Sequence, residues 1–270
     1  MLNKGSVPIF LQYDQAALDA QYNQRAWVPH ADQLIARMAA ASDAARGRLG
    51  EPRSERYGAS ELETLDIYGQ GEKAFVFVHG GAWQRESRRG SAYGAPPIVA
   101  AGAAFVALGF AAIPRVTLPE MAAQVQRGLE WVHRNLSKDL VLFGHSSGAH
   151  LSAVALTRLS FIRKAMVVSG IYDLRPVRLS ARNAYVKLDE RLEDELSPLR
   201  HAGRIRCPVT VAWAGNDSDE FRRQSDEFGS SLKDRLVAKL EVPGLNHFEI
   251  VETLGDPASP VCRAALNMLA

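Results

Sequence analysis

From residue 62 onward, apolar and polar positions follow two alternating rhythms. "KAFVFVH" (73–79) is a short, continuously apolar run, the pattern of a strand covered on both faces of a parallel sheet. "AAFVALGFAAI" (103–113) is the next, "DLVLFG" (139–144), "KAMVVSG" (164–170), "CPVTVAWAG" (207–215) and "RLVAKLEVPG" (235–244) are further strands, and "LETLDIY" (62–68) alternates like a half-buried strand. Between them, "LPEMAAQVQRGLEWVHRNL" (118–136) spaces its apolar residues at the helical period. "SGAHLSAVALTRL" (147–159) and "SDEFRRQSDEFGSSLKD" (218–234) are further helices. Such alternation predicts crossover units on a parallel sheet, an α/β fold.

Two stretches depart from this rhythm. Residues 14–46 predict two helices separated near Val28-Pro29, because a proline disfavours helix in the residue before it; Asp32 is the candidate cap of the second. Residues 171–200 are rich in charge and carry no clear strand, as expected for a cap or lid over the sheet edge. No repeat or low-complexity linker interrupts the chain, so residues 1–270 read as one domain.

Composition narrows the function classes. The 270 residues are 47% hydrophobic and 23% charged, ordinary for a globular protein. Thirty-two basic and 30 acidic side chains leave +2, and no basic stripe marks a nucleic-acid binder. Cys207 and Cys262 form no disulfide framework and have no metal-ligand spacing, so both are expected reduced, with no metal or organic cofactor. The opening "MLNKGSVPIFLQYD" has too short an apolar run for a signal sequence or membrane span. The expectation is a cytoplasmic protein with a small-molecule substrate, no nucleic-acid or membrane partner and, if it self-associates, a homodimer.

Candidate chemistry begins at Gly144-His145-Ser146-Ser147-Gly148, a G-x-S-x-G motif between the strand "VLF" and the helix "SGAHLSAV". A serine at such a turn is exposed on strained backbone, and side chains at 144 and 148 would collide with neighbouring elements. The following helix N-terminus favours developing negative charge. A hydroxyl is a weak nucleophile without a base. His247 in "VPGLNHFEIVETL" suits that role, following the last strand and a glycine-containing loop and opening a helix. His30, His133, His150 and His201 read as surface or packing residues, and His145, pointing away from the serine, as support for the site. The acid is expected after the preceding strand, in "VAWAGNDSDEF". Asp217 comes first and is preferred, whereas Asp219 reads as a helix N-cap. Upstream, "FVFVHGGAWQ" supplies an H-G-G loop whose backbone amides at Gly81 and Ala82, with that of Ser147, would form an oxyanion hole.

Together these residues resemble an α/β-hydrolase. "HGGAW" is similar to the kynurenine formamidase (arylformamidase) group rather than to the H-G-G-G form of many lipases and esterases. The resemblance continues through "YNQRAWVP" (22–29), "LDIY" (65–68), 103–132, "GHSSGAHL" (144–151), "SGIYDLRPV" (169–177), "DSDEFRRQS" (217–225) and "NHFEIVETL" (246–254). It implies a mostly parallel central sheet flanked by helices, with N-terminal helices, a small cap and a Ser146-Asp217-His247 triad. Where relatives carry a polar residue and a tyrosine after the "AFVAL" strand, this chain has Gly109-Phe110, removing a polar group near the pocket floor.

The function this implies is hydrolysis of a small acyl amide or ester, with arylformamidase activity leading. A carboxylesterase or thioesterase using the same residues is the alternative, and a non-catalytic receptor is a third reading. Trp83, Tyr93, Tyr172 and Phe248 lie near the motif loops and are candidate aromatic walls for a substrate, or equally core filling.

Overall fold

A computed structural model describes residues 7–85 and 87–270, so the first six residues of the opening stretch discussed above lie outside it. The chain enters through three helices, α1 (Gln15–Gln21), α2 (Gln24–Trp27) and α3 (Ala31–Leu49). Asp14 caps α1 by accepting from Ala17 N at 2.8 Å. The break at Val28-Pro29 falls where expected. Asp32 does not cap α3, however: the N-cap is His30, and Asp32 lies inside the first turn, paired with Arg25 at 2.6 Å.

Eight strands follow: β1 (Arg53–Arg56), β2 (Thr64–Tyr68), β3 (Lys73–Val78), β4 (Ala104–Leu108), β5 (Asp139–His145), β6 (Lys164–Val168), β7 (Val209–Ala214) and β8 (Leu236–Val242). They form one sheet in the order β1-β2-β4-β3-β5-β6-β7-β8, parallel except where β2 pairs with β1 and β4. The α/β-hydrolase architecture is thus present. β1, "RSER", is an edge strand with no buried residue, so it leaves no apolar period in the sequence. The expected run 103–113 is strand only to Leu108. A Cβ on Gly109 would stand 2.7 Å from Thr64 O, and the chain then leaves the sheet, Ala111 N donating to Gln124 Oε1 at 2.8 Å.

The remaining helices are α4 (Ala95–Ala100), α5 (Leu118–Asn135), α6 (Ser147–Leu156), α7 (Arg175–Leu179), α8 (Asn183–Val186), α9 (Glu190–Glu195), α10 (Asp219–Ser231), α11 (Glu249–Glu252) and α12 (Pro260–Asn267). Alternation along each strand divides the core in two. Val76, Val106, Leu142 and Val211 face α5, α6 and α10, while Phe75, Phe77, Phe105 and Phe143 stack on the other face beneath α4 and α12. The Phe77 and Phe143 rings are stacked nearly parallel, with centroids 5.4 Å apart. Each such ring, fully buried, contributes about 1.5–3 kcal/mol of transfer free energy.

Residues 171–200 hold the short helices α7 to α9 rather than a strand. They are tied to the N-terminal helices: Gln15 Nε2 donates to Leu179 O (3.0 Å) and Ala181 N to Asp19 Oδ1 (2.6 Å). Both cysteines are buried and free. Among the described residues, no helix is long and apolar enough to cross a membrane.

Candidate active site

β5 ends at His145 and α6 begins at Ser147, so Ser146 takes the whole turn alone, at φ 55° and ψ −125°. An L-residue is strained there, and the surrounding packing must hold it. Ser146 N donates to Val168 O on the neighbouring strand at 2.9 Å. A Cβ at Gly148 would lie 2.2 Å from Val78 O, and one at Gly144 2.4 Å from Ser152 Oγ. The two motif glycines therefore let β3, β5 and α6 close on one another, as expected from the sequence.

His247 follows Gly244, which turns with φ 77°, and precedes α11. Its Nε2 lies 2.9 Å from Ser146 Oγ and its Nδ1 2.7 Å from Asp217 Oδ1. All three residues are buried. Asp217 meets the histidine and Asp219 does not. Asp219 is the first residue of α10, paired with Arg222 at 2.5 Å, and the N-cap is Ser218, which corrects the expected cap. The second Asp217 oxygen accepts from Ser169 Oγ (2.5 Å) and Ala214 N (3.1 Å). Ser169 went unnoticed in the sequence, where "SG" after a strand reads only as a turn.

His145 does not turn away from the site. Its Nε2–H donates to the carbonyl of His247 at 2.9 Å, and the two rings are 4.9 Å apart. Burial, aided by the neighbouring His247, pushes its pKa well below the ordinary histidine value, so it stays neutral. The bond braces the backbone of His247. His150 is a core residue: Trp83 Nε1 donates to its Nδ1 (3.3 Å), and its Nε2 donates to Leu196 O (2.9 Å).

The H-G-G loop leaves β3 through three consecutive positive φ values, 126° at Gly81, 54° at Ala82 and 60° at Trp83. Among the described residues, the backbone N–H groups of Gly81, Ala82 and Ser147 donate to no other group. His79 anchors the loop. Its Nδ1 bonds Gly80 O at 2.8 Å, its Nε2 accepts from Ser87 N at 3.4 Å, and its ring stacks on Phe110 at 4.3 Å. Burial lowers its pKa to about 4. The Gly109-Phe110 departure noted in the sequence thus supplies an apolar platform for this histidine.

A cavity of about 800 Å³ opens over Ser146. Of the four proposed aromatic walls, Tyr93 and Phe248 line it. Trp83 and Tyr172 do not. Trp83 is buried against His150 on α6, and Tyr172 is stacked on Phe228 at 4.2 Å, so both are core residues. The cavity is also lined by residues the sequence did not single out for the site: Tyr22 and Gln24 of the N-terminal segment, Met38 of α3, Arg182 just before α8 and Tyr185 within it. Among the described residues, no group of three or more histidine, cysteine or acidic side chains is gathered for a metal ion.

These features coincide with known proteins. A family model described as BD-FAE matches residues 65–162. The structure of a candidate thioesterase from Silicibacter sp. superposes with a TM-score of 0.82 at 27% identity, covering 91% of this chain and 97% of that one. The protein is a hydrolase of the α/β-hydrolase class. The chain is also 33% identical to the kynurenine formamidase of Danio rerio, over 93% of its own length and 95% of the relative's. To that of Salmo salar it is 32% identical, over 84% and 85%. It belongs to the kynurenine formamidase family.

Proposed function

We propose that the protein hydrolyses aryl formamides of the N-formylkynurenine type through a Ser146–His247–Asp217 triad. The observation that carries this reading is the continuous hydrogen-bonded line from Ser146 Oγ through His247 to Asp217, at 2.9 and 2.7 Å, beneath the cavity. Ser146 Oγ attacks the formyl carbon while His247 Nε2 takes its proton. Asp217 holds Nδ1–H, keeping Nε2 free as the acceptor, and stabilises the imidazolium. The oxyanion is met by the N–H groups of Gly81, Ala82 and Ser147; one such donor is worth about 3–4 kcal/mol in the transition state. The C–N bond then breaks, Nε2–H protonates the departing arylamine, and water, activated by the same nitrogen, releases formate from the acyl-enzyme.

Phe248, edge-on to His247 at 5.6 Å, and Tyr93 flank the leaving-group side and suit an aryl ring. The family of the relatives supports a formyl acyl group. The experiment is turnover of N-formylkynurenine and p-nitrophenyl acetate by wild type and Ser146→Ala, with fluorophosphonate labelling of Ser146. Both activities and the label are expected to vanish in the variant. Ester turnover without formamide turnover overturns the formamidase reading and leaves a general esterase.

A further inference from the structure

Arginines in contact with the body of this protein are, as a rule, neutralised. Arg178 and Arg200 share Glu193, Arg223 pairs with Glu220, Arg127 with Glu63 and Arg88 with Asp66. Arg182 breaks the pattern. Its Nε and Nη2 both donate to a neutral carbonyl, Tyr22 O, at 3.1 and 2.5 Å. Its Nη1 is buried and has no hydrogen-bond partner. The guanidinium is packed between two aromatic faces, 5.5 Å from the Tyr22 ring centroid and 5.9 Å from that of Trp83. Among the described residues, no carboxylate comes within ion-pair distance of it.

Arg182 also stands in the wall of the cavity that holds Ser146. The two other guanidiniums of that wall differ from it: Arg25 is engaged by Asp32 at 2.6 Å, and Arg85 is exposed. Asp19, the acid beside Arg182, spends Oδ1 on Gln15 Nε2 and Ala181 N. A second orphan lies in the same wall. Gln24 Oε1 is buried without a partner, while its amide nitrogen is committed to Gln21 O at 3.1 Å. Gln24 is two residues from the carbonyl that Arg182 holds. One segment of cavity wall thus offers an uncompensated cation and an unused polar atom, and a buried cation without a counter-ion is costly unless a ligand supplies the charge. Pinning α8 to the N-terminal segment would need only a neutral donor to Tyr22 O.

We propose that Arg182 is a specificity-determining residue that receives a carboxylate carried on the leaving-group side of the substrate. The inference rests on the reading of this cavity as the acyl-transfer site. With the acyl carbon at Ser146 and the carboxylate at the wall built from Tyr22, Gln24 and Arg182, the aryl ring would lie between, along Phe248 and Tyr93. A planar guanidinium suits a planar carboxylate, because two parallel N–H donors meet two oxygens.

The test uses two aryl acetates that differ only in a carboxylate-bearing side chain, so it does not depend on formamide turnover. Wild type, Arg182→Gln (which keeps a donor for Tyr22 O), Arg182→Lys and the control Arg191→Gln, an exposed arginine outside the cavity, are compared. Wild type is expected to favour the carboxylate ester, and R182Q to lose about 10- to 100-fold in kcat/KM on it. That loss should appear in KM, leave the neutral ester within about 2-fold, and be partly restored in R182K; R191Q should behave as wild type. Equal loss on both esters in a variant that melts like wild type, or no preference in wild type, overturns the proposal. If R182Q does not fold, competitive inhibition by an arylcarboxylate decides: a neutral isostere inhibiting wild type equally well overturns it. Absence of N-formylkynurenine turnover with ester discrimination intact would refute only the formamidase reading. If no ester is turned over, calorimetry on wild type and R182K replaces kinetics, and failure of the arylcarboxylate to outbind its neutral isostere overturns the proposal.

Discussion

The floor and the roof of the cavity are built on opposite principles. On the floor, Ser146, His247, Asp217 and Ser169 hang from the ends of β5, β6, β7 and β8, each polar atom meeting another within 3.1 Å. The roof is made of short helices, α1, α2 and α8, tied across more than 150 residues by hydrogen bonds such as Arg182 to Tyr22 O, and it retains two buried polar atoms without partners. A preorganised floor suits chemistry common to all substrates, because its dipoles need no rearrangement during reaction. An unsatisfied roof suits discrimination, because only a ligand with matching polarity completes it.

The sharpest way to break this contrast is at the acid. Asp217→Asn is expected to cut kcat on the order of 10⁴-fold on every substrate, since the amide holds His247 in the wrong tautomer. Asp219→Asn, which removes only a half-exposed pair with Arg222, should stay within about 2-fold. Equal effects in steady-state kinetics would refute the assignment.

Acid should weaken the floor next. His79 and His150 are buried neutral with pKa values lowered to about 4, and that of His145 is held well below the ordinary histidine value by burial. The unfolded chain binds these protons near pH 6.5 while the folded one refuses them, so stability rises with pH between about 4 and 6.5 and falls on acidification through that window. Keeping His79 or His150 unprotonated costs the folded state up to about 3 kcal/mol at pH 4 relative to pH 7. Urea unfolding at pH 7 and pH 4.5 checks this, and equal midpoints would contradict it.

A smaller effect separates support from chemistry. Ser169→Ala removes one hydrogen bond to the Asp217 carboxylate and is expected to lower kcat about 10-fold, leaving KM and the preference for a carboxylate unchanged. A change confined to KM would place Ser169 in substrate binding instead.

Much of the floor was legible in the linear chain because its constraints are local. A serine that must turn alone from strand to helix needs Gly144 and Gly148 beside it, and a histidine after the last strand needs a turn such as Gly244. The apolar runs marked the parallel strands β3 to β7 because a strand covered on both faces has no room for polar residues, whereas β8, a largely exposed edge strand, carries Lys239 and Glu241. Edge strand β1 escaped notice because it buries nothing. Ser169 escaped because its role is to reach Asp217, 48 residues away.

What the tertiary structure alone decided is the division of side chains between core and cavity. Trp83 and Tyr172 lie as near the motifs as Tyr93 and Phe248, yet they turn inward onto His150 and Phe228. Arg182 looks like any other arginine until Tyr22, 160 residues earlier, is folded against it. Local steric needs write themselves into neighbouring residues, so Ser146 and its turn can be read along the chain. Burial and charge compensation depend on contacts between distant segments, so the shape and polarity of the cavity emerge only when those segments meet.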